Sequence, residues 1–196
     1  MSKILYCIRH GLSQHNVNYT KYGSQTFYDP VFTDTTLLKE GFQQAINLRN
    51  TWSKLSEIEL VIVSPLMRTL QTASTIFKGK TIPMIALENV REYPMGKQTC
   101  NKRSLRTDLI QEFPQVNFTD LKTEEDELWF PEREETLDEL NLRIKIFKEY
   151  ILSRSETNIA LVNHSSFIGQ MKDSEIKYLD DGKEELQHCY PYIFKL

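Results

Sequence analysis

ILYCIRHG, residues 4–11, runs Ile4-Leu5-Tyr6-Cys7-Ile8 as an unbroken apolar stretch, then stops at the charged pair Arg9-His10 and a glycine. A short apolar run with β-branched residues at both ends and no helical period predicts a strand covered on both faces, as in a parallel sheet. Burying Arg9 and His10 without partners would cost on the order of several kcal/mol. The strand is therefore expected to end at a ligand or a counter-charge. In open α/β sheets, ligands bind beyond the carboxyl ends of the strands.

Comparable apolar runs recur at 60–63, 82–87, 159–162 and 190–194, with Pro83 and Pro191 in the third and last of the series. Proline in the 82–87 run suggests an edge strand or an irregular start. Helical spacing fills the intervals. Phe42, Ala45, Ile46, Leu48, Trp52 and Leu55 share one face, and Leu137, Leu140, Ile144, Phe147 and Ile151 step by threes and fours. Ser64-Pro65 reads as an N-cap serine with proline at the first helical position, opening a helix that stops at Gly79. Strand–helix alternation predicts an α/β fold, a three-layer α/β/α sandwich with a mostly parallel sheet and right-handed crossovers. Residues 18–36 read as a polar, aromatic-rich loop. Residues 88–135 hold no sustained period and read as an inserted cap, ordered by Phe113, Phe118, Trp129 and Phe130. Residues 1–196 are expected to form one domain.

The charges nearly balance, 24 Lys and Arg against 27 Asp and Glu for a net of −3, so there is no broad basic field for nucleic acid. No apolar stretch approaches the roughly 20 residues of a membrane span. The three cysteines show no CxxC spacing, and the N-terminal apolar run is too short for a secretory signal. Reduced thiols and a cytoplasmic setting are the expectation.

At the rim where the predicted strands end, the chain collects Arg9-His10-Gly11, Ser64-Pro65 with Arg68, Glu88 and Glu92, and Asn163-His164-Ser165. Arginine presents a planar fork that matches phosphate oxygens at any working pH. Two such forks with a histidine suit the spread charge of a transferring phosphoryl group. A neutral imidazole can attack phosphorus, and a carboxyl group can protonate the leaving oxygen and then activate water. Gly11 is expected to let backbone crowd the ligand, with a helix starting there and pointing free N–H groups at the anion. No metal or cofactor is called for, and a zinc site from His10, His15 and His164 has no familiar spacing. His188 is assigned to an ordinary late strand or loop. The stretch 97–106, with Lys97, Lys102, Arg103 and Arg106 and no acid, is expected to attract a second anionic group of the substrate.

Arg9-His10-Gly11-Leu12-Ser13-Gln14-His15-Asn16 resembles the RHGxSxxN signature of the histidine phosphatase superfamily, in its phosphoglycerate-mutase-like branch. Four further blocks resemble that family in order: Asp34-Thr35-Thr36-Leu37 with Gly41 to Ala45, Ser64-Pro65-Leu66-Met67-Arg68 with Thr72-Ala73, Arg91-Glu92 with Gly96, and Val162-Asn163-His164-Ser165. The resemblance implies a phosphohistidine on His10, a phosphoryl cradle of Arg9, Arg68 and His164, and Glu92 as proton donor. It makes Ser13 and Asn16 lesser contacts with phosphate or with the surroundings of His10. The implied activity is metal-independent hydrolysis of a small-molecule or protein phosphomonoester. Leu12 and His15 stand where mutases usually carry glutamate and tryptophan, so transfer between hydroxyls of a phosphoglycerate ranks second. A non-catalytic phosphate-binding module of the same fold ranks third.

Overall fold

In the computed structural model, which describes residues 2–174, 176–179 and 186–196, the 4–11 stretch forms β1 (Ile4–Arg9) at the centre of a six-stranded sheet. β1 pairs in parallel with β4 (Asn158–Asn163), which pairs with β2 (Leu60–Val63), which pairs with the edge strand β3 (Met84–Ala86). On the other side of β1, β6 (Pro191–Lys195) runs antiparallel, followed by the two-residue β5 (Lys177–Tyr178). Pro191 thus begins an interior strand, a first position that proline tolerates.

Pleating divides the strands between two cores. Tyr6, Ile8, Val61, Val63, Ala160 and Val162 face α2 (Lys39–Thr51) and α3 (Met67–Ile76). Leu5, Cys7, Leu60, Ile62, Ile159 and Leu161 face α5 (Leu137–Ser153) and α6 (Ser165–Lys172). That is the α/β/α sandwich. α5 starts at a capping box in which Thr136 accepts the Glu139 N–H and Glu139 accepts the Thr136 N–H. Its Leu140, Ile144, Phe147 and Ile151 are buried, each side chain contributing about 1.5–3 kcal/mol of apolar burial. Leu137, Phe42 and Ile46, expected on the buried faces, are exposed.

Three local expectations are corrected. α3 begins at Met67 with Leu66 as N-cap, because the Ser64 hydroxyl bonds to His164 instead. The 18–36 segment is largely helical: α1 (Gln14–Tyr22) is followed by 3-10 turns at Ser24–Phe27 and Pro30–Phe32. The 88–135 insertion is only in part a cap. Its α4 (Arg106–Glu112) brings Leu109 into the body, followed by Phe113, Val116, Phe118 and Leu121. Asn117 exchanges backbone hydrogen bonds with Met84 and Ala86 at the β3 edge. No helix among the described residues is long and apolar enough to cross a membrane.

Candidate active site

The carboxyl ends of β1, β2 and β4 bring Arg9, His10, Ser64 and His164 together, and α3 adds Arg68 one turn later. The ring centroids of His10 and His164 are 5.3 Å apart. His10 Nδ1 lies 2.8 Å from the Gly11 carbonyl oxygen. A carbonyl only accepts, so Nδ1 carries the proton and Nε2 keeps its lone pair. Burial first, then the positive charge of Arg68, holds the His10 pKa well below its ordinary value, leaving the imidazole neutral.

Arg68 is fully buried, yet its acceptors are neutral: Nη1 donates to the Cys100 carbonyl at 2.6 Å and Nη2 to Asn101 Oδ1 at 2.9 Å. Its Nε–H has no hydrogen-bond partner among the described residues, and neither does His164 Nδ1. His164 Nε2 is satisfied by Ser64 Oγ at 2.8 Å. Buried polar atoms left open in this way mark a place for a polar ligand. Arg9 Nη1 donates to the Leu186 carbonyl at 2.7 Å. Glu92 accepts from the Tyr93 N–H at 2.9 Å, and burial raises its carboxyl pKa against the opposing pull of that N–H and of Arg68. A carboxyl raised in this way holds its proton to higher pH than a solvated one, the direction a proton donor needs.

The neighbouring motif residues position this set. Asp34 accepts from the Met67 N–H at the start of α3 and from the N–H and hydroxyl of Ser104. Gln44 Oε1 accepts the Leu12 N–H and Gln71 Oε1 the Leu37 N–H, both at 2.8 Å. Arg91, next to Glu92, is a buried anchor that grips both Asp126 oxygens and the Asn101 carbonyl. Glu88, the competitor for the acid role, is committed to Arg91 and Arg103.

Several expectations change. Gly11 does not open a helix at the ligand: α1 starts at Gln14, and the Gly11 N–H is held by Thr72 Oγ1 at 3.0 Å. Its missing side chain serves packing, because a Cβ there would stand 2.5 Å from the Gly41 carbonyl oxygen. Ser13 is fully buried, its N–H and hydroxyl both bonded to Asn16 Oδ1. Asn16 reaches the wall of the cleft, whereas Ser13 stands behind it as the helix cap. Arg103 stands outside the cavity lining and is committed within the fold: it is buried, paired with Glu88 and bonded to the carbonyls of Ser104, Thr123, Glu124 and Glu125. The Lys102 ammonium sits over the Trp129 ring.

Two residues were missed. His15 and His188 flank His10 at ring-centroid distances of 5.9 and 5.6 Å, so all four histidines of the chain gather here. His15 bonds to Thr35 Oγ1 at 2.7 Å through Nδ1 and accepts Asn16 Nδ2 at its Nε2. His188 Nδ1 donates to the His10 carbonyl at 2.5 Å. Only the antiparallel pairing of β6 with β1 brings residue 188 here, which no local pattern around it announces. Among the described residues, no group of three or more His, Cys, Asp or Glu is arranged to hold a metal ion.

Above this set lies a cavity of about 690 Å³ whose lining includes Arg9, His15, Asn16, Glu92, Asn101 and His188. His10 is 1% exposed, and Arg68 and His164 are fully buried beneath that floor.

The family model for the histidine phosphatase superfamily (branch 1) matches residues 5–174. A phosphoglycerate mutase-like protein of Arabidopsis thaliana is 32% identical over 94% of this chain and 79% of its own length. Phosphoglycerate mutase-like protein 1 of the same plant is 33% identical over 85% and 69%. The crystal structure of the alpha-ribazole phosphatase from Shigella flexneri superposes with a TM-score of 0.54 at 25% identity, covering 86% of this chain and 77% of that one.

Proposed function

The chain belongs to the histidine phosphatase superfamily, and from that premise we propose that it hydrolyses phosphomonoesters through a phosphohistidine on His10. The observation that carries the reading is the pinned, neutral imidazole of His10 beside open donors on Arg68 and His164. Arg9, Arg68 and His164 hold the three equatorial oxygens of the phosphoryl group. Nε2 attacks phosphorus, the P–O ester bond breaks, and protonated Glu92 gives its proton to the departing alcohol oxygen. The Glu92 carboxylate then takes a proton from water as the water oxygen displaces Nε2, releasing inorganic phosphate and restoring both groups. A nucleophile and an acid maintained together support turnover over binding alone. The matched phosphatase from Shigella flexneri is in keeping with hydrolysis. A phosphoglycerate mutase would need a cationic seat for the substrate carboxylate, and Arg9 is the only Lys or Arg in the described cavity lining.

Rapid quench of a radiolabelled phosphomonoester reaction tests the route. Acid-labile, alkali-stable phosphate on His10 is expected, and His10→Ala should abolish both the label and turnover. Glu92→Gln should slow alkyl phosphates at least tenfold more than an aryl phosphate with an acidic leaving group. Full turnover in His10→Ala would refute the assignment.

A further inference from the structure

Beyond the phosphoryl cradle the cavity changes character. Val17 and Tyr19 of α1, Phe27 in the 3-10 turn that follows, and Leu12, Tyr93 and Pro94 line the same space. The Tyr19 and Phe27 rings are stacked, with centroids 4.9 Å apart and planes 8° from parallel. Val17 and Tyr19 are 44% and 48% exposed, so apolar and aromatic surface stands open beside a polar floor. Aromatic faces and edges favour flat apolar partners, and a cavity of this size holds a ligand of several rings.

Charge narrows the choice. Arg9 and Glu92 are the only Lys, Arg, Asp or Glu residues in the described lining, and the phosphoryl chemistry uses both. Lys97, Lys102, Arg103 and Arg106 all lie outside it. Beyond Arg9, a second phosphate or a carboxylate on the substrate would meet no Lys or Arg in the described lining.

We infer that the substrate is a phosphate monoester of an uncharged, ring-bearing alcohol, with one phosphate and no second acidic group, its ring seated among Tyr19, Phe27 and Tyr93. This rests on the phosphatase reading for which end of the molecule is anchored, and the experiment separates the two.

The comparison uses three alkyl esters, so that leaving-group acidity plays little part: 2-(2-naphthyl)ethyl phosphate, ethylene glycol monophosphate and 3-phosphoglycerate. The naphthyl ester should exceed each of the others at least tenfold in kcat/KM, chiefly through KM. Tyr19→Ala with Phe27→Ala, at the cavity mouth, should bring the naphthyl-to-glycol ratio toward one. Val17→Lys supplies the missing cation and should improve the phosphoglycerate at least fivefold in relative kcat/KM. In parallel, calorimetry with 3-(2-naphthyl)propylphosphonate and methylphosphonate reads binding without turnover, with the naphthyl compound at least tenfold tighter in the unaltered protein only. A preference for 3-phosphoglycerate, or a naphthyl preference that survives the double substitution, overturns the inference. Hydrolysis of all three esters at equal kcat/KM overturns it while leaving the phosphatase reading intact. Absence of hydrolysis with Tyr19- and Phe27-dependent phosphonate binding sinks the phosphatase reading and upholds the inference.

Discussion

His188 donates Nδ1–H to the carbonyl oxygen of His10, the residue whose ring is the proposed nucleophile. The next residue, Cys189, donates its N–H to the Arg9 carbonyl at 2.9 Å, and Arg9 reaches back to the Leu186 carbonyl. The chain at 186–189 thus fixes the backbone from which Arg9 and His10, the proposed catalytic pair, project. Removing one such hydrogen bond is worth about 1–1.5 kcal/mol, close to a factor of ten in rate if it is felt at the transition state. His188→Ala is therefore expected to lower kcat about tenfold with a smaller change in KM. His188→Asn, which keeps a side-chain donor, should recover most of the loss. Pre-steady-state rates of phosphoenzyme formation check this, and a deficit that Asn does not repair would assign the effect to packing. At this scale the sequence was most legible where charge interrupts an apolar run: Arg9, His10 and His164 stand where such a rim requires them. His15 and His188 were not, because each reaches the site through a contact distant in the chain, to Thr35 and to the His10 backbone.

Between elements, the loop from β1 to α1 is riveted to the start of α2. Leu12 accepts the Leu38 N–H at 2.9 Å and donates to Gln44, while Gln14 donates to the Thr36 carbonyl. The loop and α2 meet backbone to backbone: a Cβ on Gly11 would collide with the Gly41 carbonyl, and one on Gly41 with the Leu12 carbonyl. Because the obstructing atoms are main-chain carbonyls, relief requires moving α2 or the loop. Gly11→Ala and Gly41→Ala should each cost about 1–3 kcal/mol, as overpacking does, and reduce activity by shifting His10. Urea denaturation with a shared m-value and kcat/KM measured on the folded variants test both effects, and unchanged activity in Gly41→Ala would detach α2 from the site. The element order and the two-core pleating were readable from apolar runs and helical steps, since burial on both sheet faces writes itself into composition. Boundaries set by a tertiary bond were not: α3 starts two residues past Pro65 because Ser64 serves His164 rather than the helix end. The 106–121 segment misled for a similar reason. Its Leu109, Phe113, Val116, Phe118 and Leu121 fill the α2–α3 side of the core from a mostly irregular backbone, so no single period reveals them.

Across the whole molecule, every histidine is placed where protonation is resisted. His10, His15 and His164 are held well below the ordinary imidazole value, and His188 is lowered to about 4. Burial is the largest cause in each, followed by Arg68 for the first three and Arg9 for His188. An unfolded chain takes up protons on these rings near pH 6.5, whereas the folded chain refuses them until lower pH. The unfolded state then binds more protons, so this contribution to stability is fully present above about pH 6.5 and is lost as the pH falls. Each ring tilts the curve by up to about 1.4 kcal/mol per pH unit in that window. Glu92 and Asp34 act oppositely, since burial raises both and their contribution fades as pH rises through their folded values. Two carboxyls against four imidazoles leave a net uptake of roughly two to four protons on unfolding near pH 5.5. Denaturation midpoints should therefore fall steadily from pH 7.5 to 5.5. His188→Gln, which removes one titrating ring and keeps a donor for the His10 carbonyl, should reduce that fall by about 1.4 kcal/mol in total between pH 7.5 and 5.5. A stability that holds level or rises toward pH 5.5 would mean that the imidazoles accept protons in the folded protein, and with them the neutral imidazole that the proposed attack by His10 requires would be lost.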